Sequence, residues 1–167
     1  MIAFAALAGV LLLMLVELRL SVVNERALLD LGARQPPDPV YTTMRIAYPA
    51  AFVVMAIEGA RTGSFDTRLV VAGVLVLVAG KLLKAWAIRS LGDRWTYRVF
   101  VLPGAPLVTG GPYRWIRHPN YVGVIGELVG FALLVGARLT GPLAILVFGE
   151  LLRRRIRAEE QALGLSR

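Results

Sequence analysis

Hydrophobic positions in this chain fall in long blocks, not in alternating stripes. Residues 2–16 are unbroken apolar sequence, closed by Glu17 and Arg19. A second block covers 41–57 and stops at Glu58, Gly59 and Arg61. A third runs over 69–88, with Lys81 and Lys84 in its last two turns, where long side chains can snorkel towards headgroups. A fourth, 121–137, contains Glu127, and a shorter fifth covers 143–152. Because a bilayer core of ~30 Å takes ~20 helical residues, blocks of this kind predict membrane-spanning helices. The last two are brief against that length, so a hairpin dipping in and out and two full crossings both stay open. The expected fold is all-α: one polytopic membrane domain over 1–167 with four or five spans.

The connecting sequence is polar and rich in breakers. Ser21, Asn24, Glu25 and Arg26 mark an interface after the first block, and 33–39, with three prolines, reads as a loop. A short turn is expected over 61–66. Residues 89–119 carry Gly92, Pro103, Gly104, Pro106, Gly110, Gly111 and Pro112, which predict loops and short helical pieces against the membrane face. The tail, 153–163, reads as a basic and acidic helix ending at Gly164. A cleaved signal peptide is the alternative for 2–16, but it would bring a basic start and a small-residue cleavage site, which are missing.

Composition sharpens this picture. The chain is 57% hydrophobic with a mean hydropathy of +0.66, above the 45–50% apolar share of ordinary soluble domains. It has no cysteine and one histidine, which removes disulfides and thiolate sites and argues against a metal centre. If the segments alternate sides, all but Arg61, Arg68 and Arg138 of the 19 Lys and Arg fall on one face, Arg167 among them. That asymmetry puts this face in the cytoplasm and the N-terminus outside. It also accounts for the pI of 10.8 without nucleic acid, for which no fold motif or stacking platform is present.

Candidate chemistry gathers on the same face. Residues 110–123, Gly-Gly-Pro-Tyr-Arg-Trp-Ile-Arg-His-Pro-Asn-Tyr-Val-Gly, contain the single histidine beside arginines and aromatics. Ionisable groups so near hydrocarbon need a partner or a purpose. Tyr113, Arg117, His118, Asn120 and Tyr121 form one constellation; Arg155, Glu159 and Glu160 form another. Plainer readings exist for each. Arg155 and Glu159 have the spacing of a solvated helical ion pair. Pro119 suits a first helical turn, and Tyr113, Trp115 and Tyr121 suit an interfacial belt. Glu127 is either functional or the partner of a cation near a helix end. Glu17, Arg19, Asn24 and Glu25 either line the route of an acceptor or cap the interface.

The order Leu107-Val-Thr-Gly-Gly-Pro-Tyr-Arg-Trp-Ile-Arg-His-Pro-Asn-Tyr-Val-Gly123, followed by Arg155-x-x-x-Glu-Glu160, resembles the isoprenylcysteine carboxyl methyltransferase family. Relatives of that family include phospholipid N-methyltransferases. The resemblance covers about 91–163, and 89–163 is the motif-bearing region. It implies an integral-membrane enzyme that uses S-adenosylmethionine without a Rossmann domain, consistent with the absence of a glycine fingerprint after a strand. It implies cofactor contacts at Leu107, Val108, Tyr113, His118, Pro119, Asn120, Tyr121 and Glu159, and an acceptor contact at Arg155. Arg155 and Glu159 are thereby the expected catalytic pair. Ala105 stands where the prenylcysteine enzymes have a histidine. The first two blocks look closest to small bacterial members, which implies a bacterial cell membrane; the charge asymmetry turns the site to its cytoplasmic face.

The residue types suit that chemistry. Glu159 can pair with the cofactor ammonium, and tyrosine faces can attract a sulfonium by ~0.5–2 kcal/mol. Arg155 can hold an anionic oxygen bidentately. The acceptor expected is lipophilic and enters from the bilayer: a prenylcysteine carboxylate, or the hydroxyl of an alkylpyrone or alkylresorcinol. For a neutral phenol or amine, Glu127 or His118 could take a proton. O-methylation is favoured over N-methylation. Other classes remain: a non-catalytic scaffold or small transporter subunit, with no cofactor, or a membrane reductase, whose nicotinamide site is not found.

Overall fold

The computed structural model describes residues 2–63 and 66–165. Ser64 and Phe65 of the expected turn, and Arg167 of the basic face, lie outside the described residues. The described residues form five α-helices: α1 (Ile2–Asp30), α2 (Tyr41–Thr62), α3 (Thr67–Leu91), α4 (Pro119–Val135) and α5 (Thr140–Ala162). Among the described residues there is no strand, only an isolated bridge between Arg34 and Val101 that ties the proline loop to the α3–α4 connection. α1 and α3 are long and apolar enough to cross a membrane, and only 17% of each apolar window is buried. A soluble core helix would hide that surface; these helices present it outward. α4 is a shorter apolar helix.

Two boundaries differ from expectation. The polar residues after Val16 do not end α1: Ser21 and Asn24 are buried on its inner face, where Asn24 Nδ2 donates to the carbonyls of Gly92 and Trp95, while Arg19 and Arg26 stay exposed. The brief fifth block and the charged tail are one helix, α5. Hydropathy changes abruptly at Arg153, but Leu, Arg and Glu are all strong helix formers, so the backbone has no reason to break there.

α4 is the centre of the bundle. Its glycines let α3 approach to backbone contact: a Cβ on Gly130 would lie 2.3 Å from the Leu77 nitrogen, and one on Gly73 would lie 2.4 Å from the Leu134 nitrogen. Gly80 and Gly123 meet in the same seam, where a Cβ on either would sit 3.0 Å from the other's carbonyl oxygen. Small residues of this kind are how helices associate where lipid supplies no hydrophobic drive. On the opposite side of α4, Phe131 packs edge-on against Phe52 of α2 at 5.0 Å, and Tyr48 touches both Phe52 and Phe148 of α5. All three phenylalanines are fully buried.

The helix ends are fastened individually. Asp66 caps α3 by accepting from the Arg68 amide, a contribution of ~1 kcal/mol. Pro119 occupies the first turn of α4, and Gly136 closes that helix in the left-handed region. α5 receives its cap from another helix. Glu58, at the end of α2, accepts from the Leu139 and Thr140 amides at 2.9 and 2.8 Å and from the Thr140 hydroxyl. Partial loss of water opposes the charge of Glu58, but those donors outweigh it and hold the carboxyl below its ordinary range.

Two outcomes follow. Gly130→Leu should prevent α3 and α4 from closing and lower the thermal midpoint in detergent sharply, whereas Gly149→Leu, with open space at its Cβ, should be neutral. Overpacking of a tight seam typically costs about 1–3 kcal/mol; equal midpoints would contradict the close approach. Since its carboxyl pKa is depressed in the fold, Glu58 contributes stability that is complete above the unfolded glutamate pKa of ~4.3 and fades as pH falls through the folded value. Glu58→Gln should therefore be less stable than the parent at pH 7, and the gap should narrow in thermal melts taken at successively lower pH.

Candidate active site

Four charged side chains meet inside the bundle, each from an apolar stretch of its helix. Lys84 of α3 lies 2.6 Å from Glu17 of α1 and 3.4 Å from Glu127 of α4. Lys81 lies 2.7 Å from Glu127 and 3.3 Å from Glu17. Lys84 is 2% exposed and Glu127 not at all. The expected snorkelling of Lys81 and Lys84 is thus corrected: both turn inward, because two carboxylates offer better solvation than a distant headgroup. Two tyrosines complete the cluster. Tyr48 of α2 donates to Glu127 Oε2 at 2.9 Å, and Tyr97 donates to Glu17 Oε2 at 3.0 Å. Glu127 Oε1 touches Lys84 at ion-pair distance without an aligned hydrogen bond. Four opposite charges with two hydroxyls form a neutral, nearly saturated group, which is the form in which ions survive burial.

A second cluster lies where α4 begins and α5 ends. Tyr121, in the first turn of α4, donates its hydroxyl to Glu159 Oε2 at 2.7 Å. His118 stacks on the Tyr121 ring, with centroids 5.6 Å apart and planes 16° from parallel. Its Nε2 lies 3.3 Å from Glu160 Oε1, and its Nδ1 lies 3.7 Å from Glu159 Oε2. Arg155 is 5% exposed. Its Nε donates to the Tyr121 oxygen at 3.3 Å, its second nitrogen to Asp38, and its third to the Tyr97 carbonyl at 2.5 Å. Burial works against the Arg155 charge, but Tyr121, Asp38 and Glu159 outweigh it and raise its pKa. Burial first, then the Glu159 charge, pushes the Tyr113 hydroxyl well above its ordinary value. Burial and Glu17 do the same to Tyr97.

Between the clusters is a cavity of about 400 Å³. Leu11, Met14, Leu15 and Leu18 of α1 form its apolar wall, while Arg45, Tyr48, Lys84, Thr96, Tyr97, Asn120, Tyr121 and Arg155 are among its polar lining. Leu15 and Leu18 are also exposed on the outside of α1, so the wall of the cavity borders the outward apolar surface of that helix. A further hollow of about 280 Å³, at the other end of the bundle, is lined almost wholly by apolar groups of α3, α4 and α5.

Of the residues singled out in the sequence, Tyr121, His118, Glu159 and Arg155 are brought together directly. Asn120 lines the cavity with its Oδ1 buried and without a donor. Pro119 is buried in the same turn. Tyr113 sits on a 3-10 turn (Gly111–Arg114) and feels the charge of Glu159. Leu107 and Val108 lie on the preceding loop, Leu107 half exposed. Glu17 joins the buried quartet, whereas Arg19 is exposed and Glu25 takes a hydrogen bond from Ser21. Sequence reasoning missed Asp38, Tyr48 and Tyr97. Asp38 stands between two prolines, the one signal of a fixed backbone at that point.

The donor set fits the S-adenosylmethionine that the motif implies. Two adjacent carboxylates, Glu159 and Glu160, suit an ammonium, and the orphaned Asn120 Oδ1 requires an N–H or O–H donor. The comparisons point the same way. Residues 72–164, more than half of the chain, match the model of the isoprenylcysteine carboxyl methyltransferase family, and the chain belongs to that family. An uncharacterized protein of Bacillus subtilis is 42% identical over 53% of this chain and 52% of its own. One of Haemophilus influenzae is 28% identical over 88% of this chain and 86% of its own. The protein-S-isoprenylcysteine O-methyltransferase of Saccharomyces cerevisiae is 31% identical over 60% of this chain and 43% of its own. The chain therefore spans about half the length of the Bacillus protein, and less of the yeast enzyme. No solved structure matches it.

Removing one member of the buried quartet strands the others. Glu127→Gln should lower stability in detergent by about 3–5 kcal/mol, the usual effect of an uncompensated buried charge. The paired change Lys81→Met with Glu127→Leu, which leaves Glu17 facing Lys84, should recover most of that loss. A double variant as unstable as the sum of its singles would mean that the four groups are not coupled.

Proposed function

We propose that this protein is a polytopic membrane methyltransferase that transfers a methyl group from S-adenosylmethionine to a neutral hydroxyl on a lipophilic acceptor. The observation that carries this reading is the junction of His118, Tyr121, Glu159 and Arg155 at the end of the apolar cavity, in a chain of this family. Glu159 and Glu160 would hold the cofactor's ammonium, Asn120 a further donor, and the stacked rings of His118 and Tyr121 its sulfonium side. When bound, the cofactor supplies an activated methyl group. The protein's part is to align the acceptor oxygen and exclude water. α1 to α5 alternate across the bilayer, with the N-terminus outside and the site at the cytoplasmic surface; α1 and the cavity wall admit the acceptor laterally.

The wall chemistry favours a hydroxyl over a carboxylate. Tyr48, Tyr97 and Tyr121 each give their proton to a carboxylate, and Thr96, also on the wall, gives its own to the Arg98 carbonyl. All four therefore offer lone pairs to the cavity. Both deep cations are already neutralised, Arg155 by Asp38 and Lys84 by Glu17 and Glu127. A third lining cation, Arg45, is exposed to solvent; beside the two neutralised cations an anion would meet acceptors, whereas a neutral O–H finds a place to donate. As the acceptor oxygen gains its methyl, its proton can pass to the Tyr121 oxygen while Tyr121 passes its own to Glu159, which is partly open to water. A second reading keeps the prenylcysteine carboxylate: Arg155 lines the cavity and would hold that anion after releasing Asp38.

Labelled S-adenosylmethionine should bind saturably to the purified protein, and His118→Ala or Glu159→Gln should weaken binding at least tenfold, as expected for losing ~1.4 kcal/mol or more. Folded protein that binds none would end the methyltransferase reading. Incubation with a pentadecylresorcinol and with N-acetyl-S-farnesylcysteine separates the acceptors: alkali-stable labelled ether supports the hydroxyl, and alkali-labile methyl ester supports the carboxylate.

A further inference from the structure

The outer face of α3 carries Leu75, Val78, Leu82, Trp86 and Arg89 at helical spacing, so they form one line. Leu75 and Leu82 are about two-thirds exposed, Trp86 is 45% exposed, and Arg89 is open to solvent. Apolar, aromatic and basic groups follow one another along that line in the order of hydrocarbon, interface and headgroup across a leaflet. The α3–α4 connection adds to the same spot. Trp115, 69% exposed, packs on Trp86 with ring centroids 5.8 Å apart, and the Arg114 guanidinium lies 5.8 Å from the Trp115 ring. The 3-10 turn that delivers them is pinned to α3. A Cβ on Gly111 would fall 2.0 Å from the Ser90 hydroxyl and 3.2 Å from the Trp86 indole nitrogen. Among the described residues, no carboxylate lies within ion-pair distance of Arg89 or Arg114.

We propose that Trp86, Trp115, Arg89 and Arg114 form a seat for the headgroup of an anionic phospholipid at the bilayer surface. The tryptophans lie at the level of the glycerol backbone and the two free guanidinium groups meet the phosphate. The turn so anchored continues through Ile116 and Arg117 to His118, so an occupied seat fixes the start of the segment that presents His118 and Tyr121. The seat does not depend on which acceptor is methylated, or on whether one is.

The test uses the full chain in phosphatidylcholine nanodiscs doped with either phosphatidylglycerol or phosphatidylcholine brominated high on the acyl chain. Of the three tryptophans, Trp95 is buried at 2% exposure, so the Trp86→Phe/Trp115→Phe variant gives the interior baseline. Brominated phosphatidylglycerol should quench the parent's emission at a roughly thirtyfold lower mole fraction than brominated phosphatidylcholine, as two cations near an anionic surface would produce. Arg89→Gln/Arg114→Gln should bring the two curves together without changing the phosphatidylcholine curve. Coincident curves in the parent would reduce the patch to a neutral aromatic girdle and overturn the proposal. Quenching no greater than the double-phenylalanine baseline would place it outside the membrane, with the same result.

Discussion

Two lysines and two glutamates, neutralised among themselves between three helices, set the terms for the rest of the bundle. Ions in such a place are tolerated only when each finds a counter-ion and hydrogen bonds to match. Glu17 fixes how far α1 has turned about its axis, Lys81 and Lys84 do so for α3, and Glu127 for α4. Tyr48 then orients α2 against the same carboxylate. Apolar packing against lipid leaves helix rotation nearly free, since one leucine face is as good as another. The quartet removes that freedom, and the cavity beside it inherits a fixed shape.

The glycine seam between α3 and α4 works with this constraint. Gly73, Gly80, Gly123 and Gly130 draw the two backbones together, which is what lets the short Glu127 side chain reach both lysines of the facing helix. Close approach and charge pairing are therefore one design: larger residues in the seam would lengthen every ion-pair distance at once. The aromatic contacts of Phe52, Phe131 and Phe148 fill the far side of α4 and leave its first turn free to carry His118 and Tyr121.

Much of this was legible in the sequence, and the limits have physical causes. Apolar blocks located the helices because hydropathy is local. The His118–Tyr121 motif and the Arg155–Glu159 spacing located one cluster because both are continuous in sequence. Contacts between distant segments were not legible: nothing along the chain says that Asp38 meets Arg155 or that Tyr97 meets Glu17. Lys81 and Lys84 were read outward because a lysine near a helix end has that option; only the neighbouring helices decide otherwise. The junction within α5 was missed because a break in hydropathy is not a break in backbone preference.

That junction has a consequence for how the chain can vary. Phe148, Leu152, Arg155 and Glu159 lie along one side of α5, so the stripe that packs into the bundle at one end becomes the polar wall of the cavity at the other. A helix advances ~100° per residue, and the Glu58 cap holds its start. Inserting or deleting a single residue at the midpoint would swing Arg155 and Glu159 a quarter-turn or more away from Tyr121 while leaving Phe148 and the capped first half of the helix in place. The two halves of α5 share a phase, and the spacing between the last buried phenylalanine and the charged pair is held as tightly as any side chain in the site.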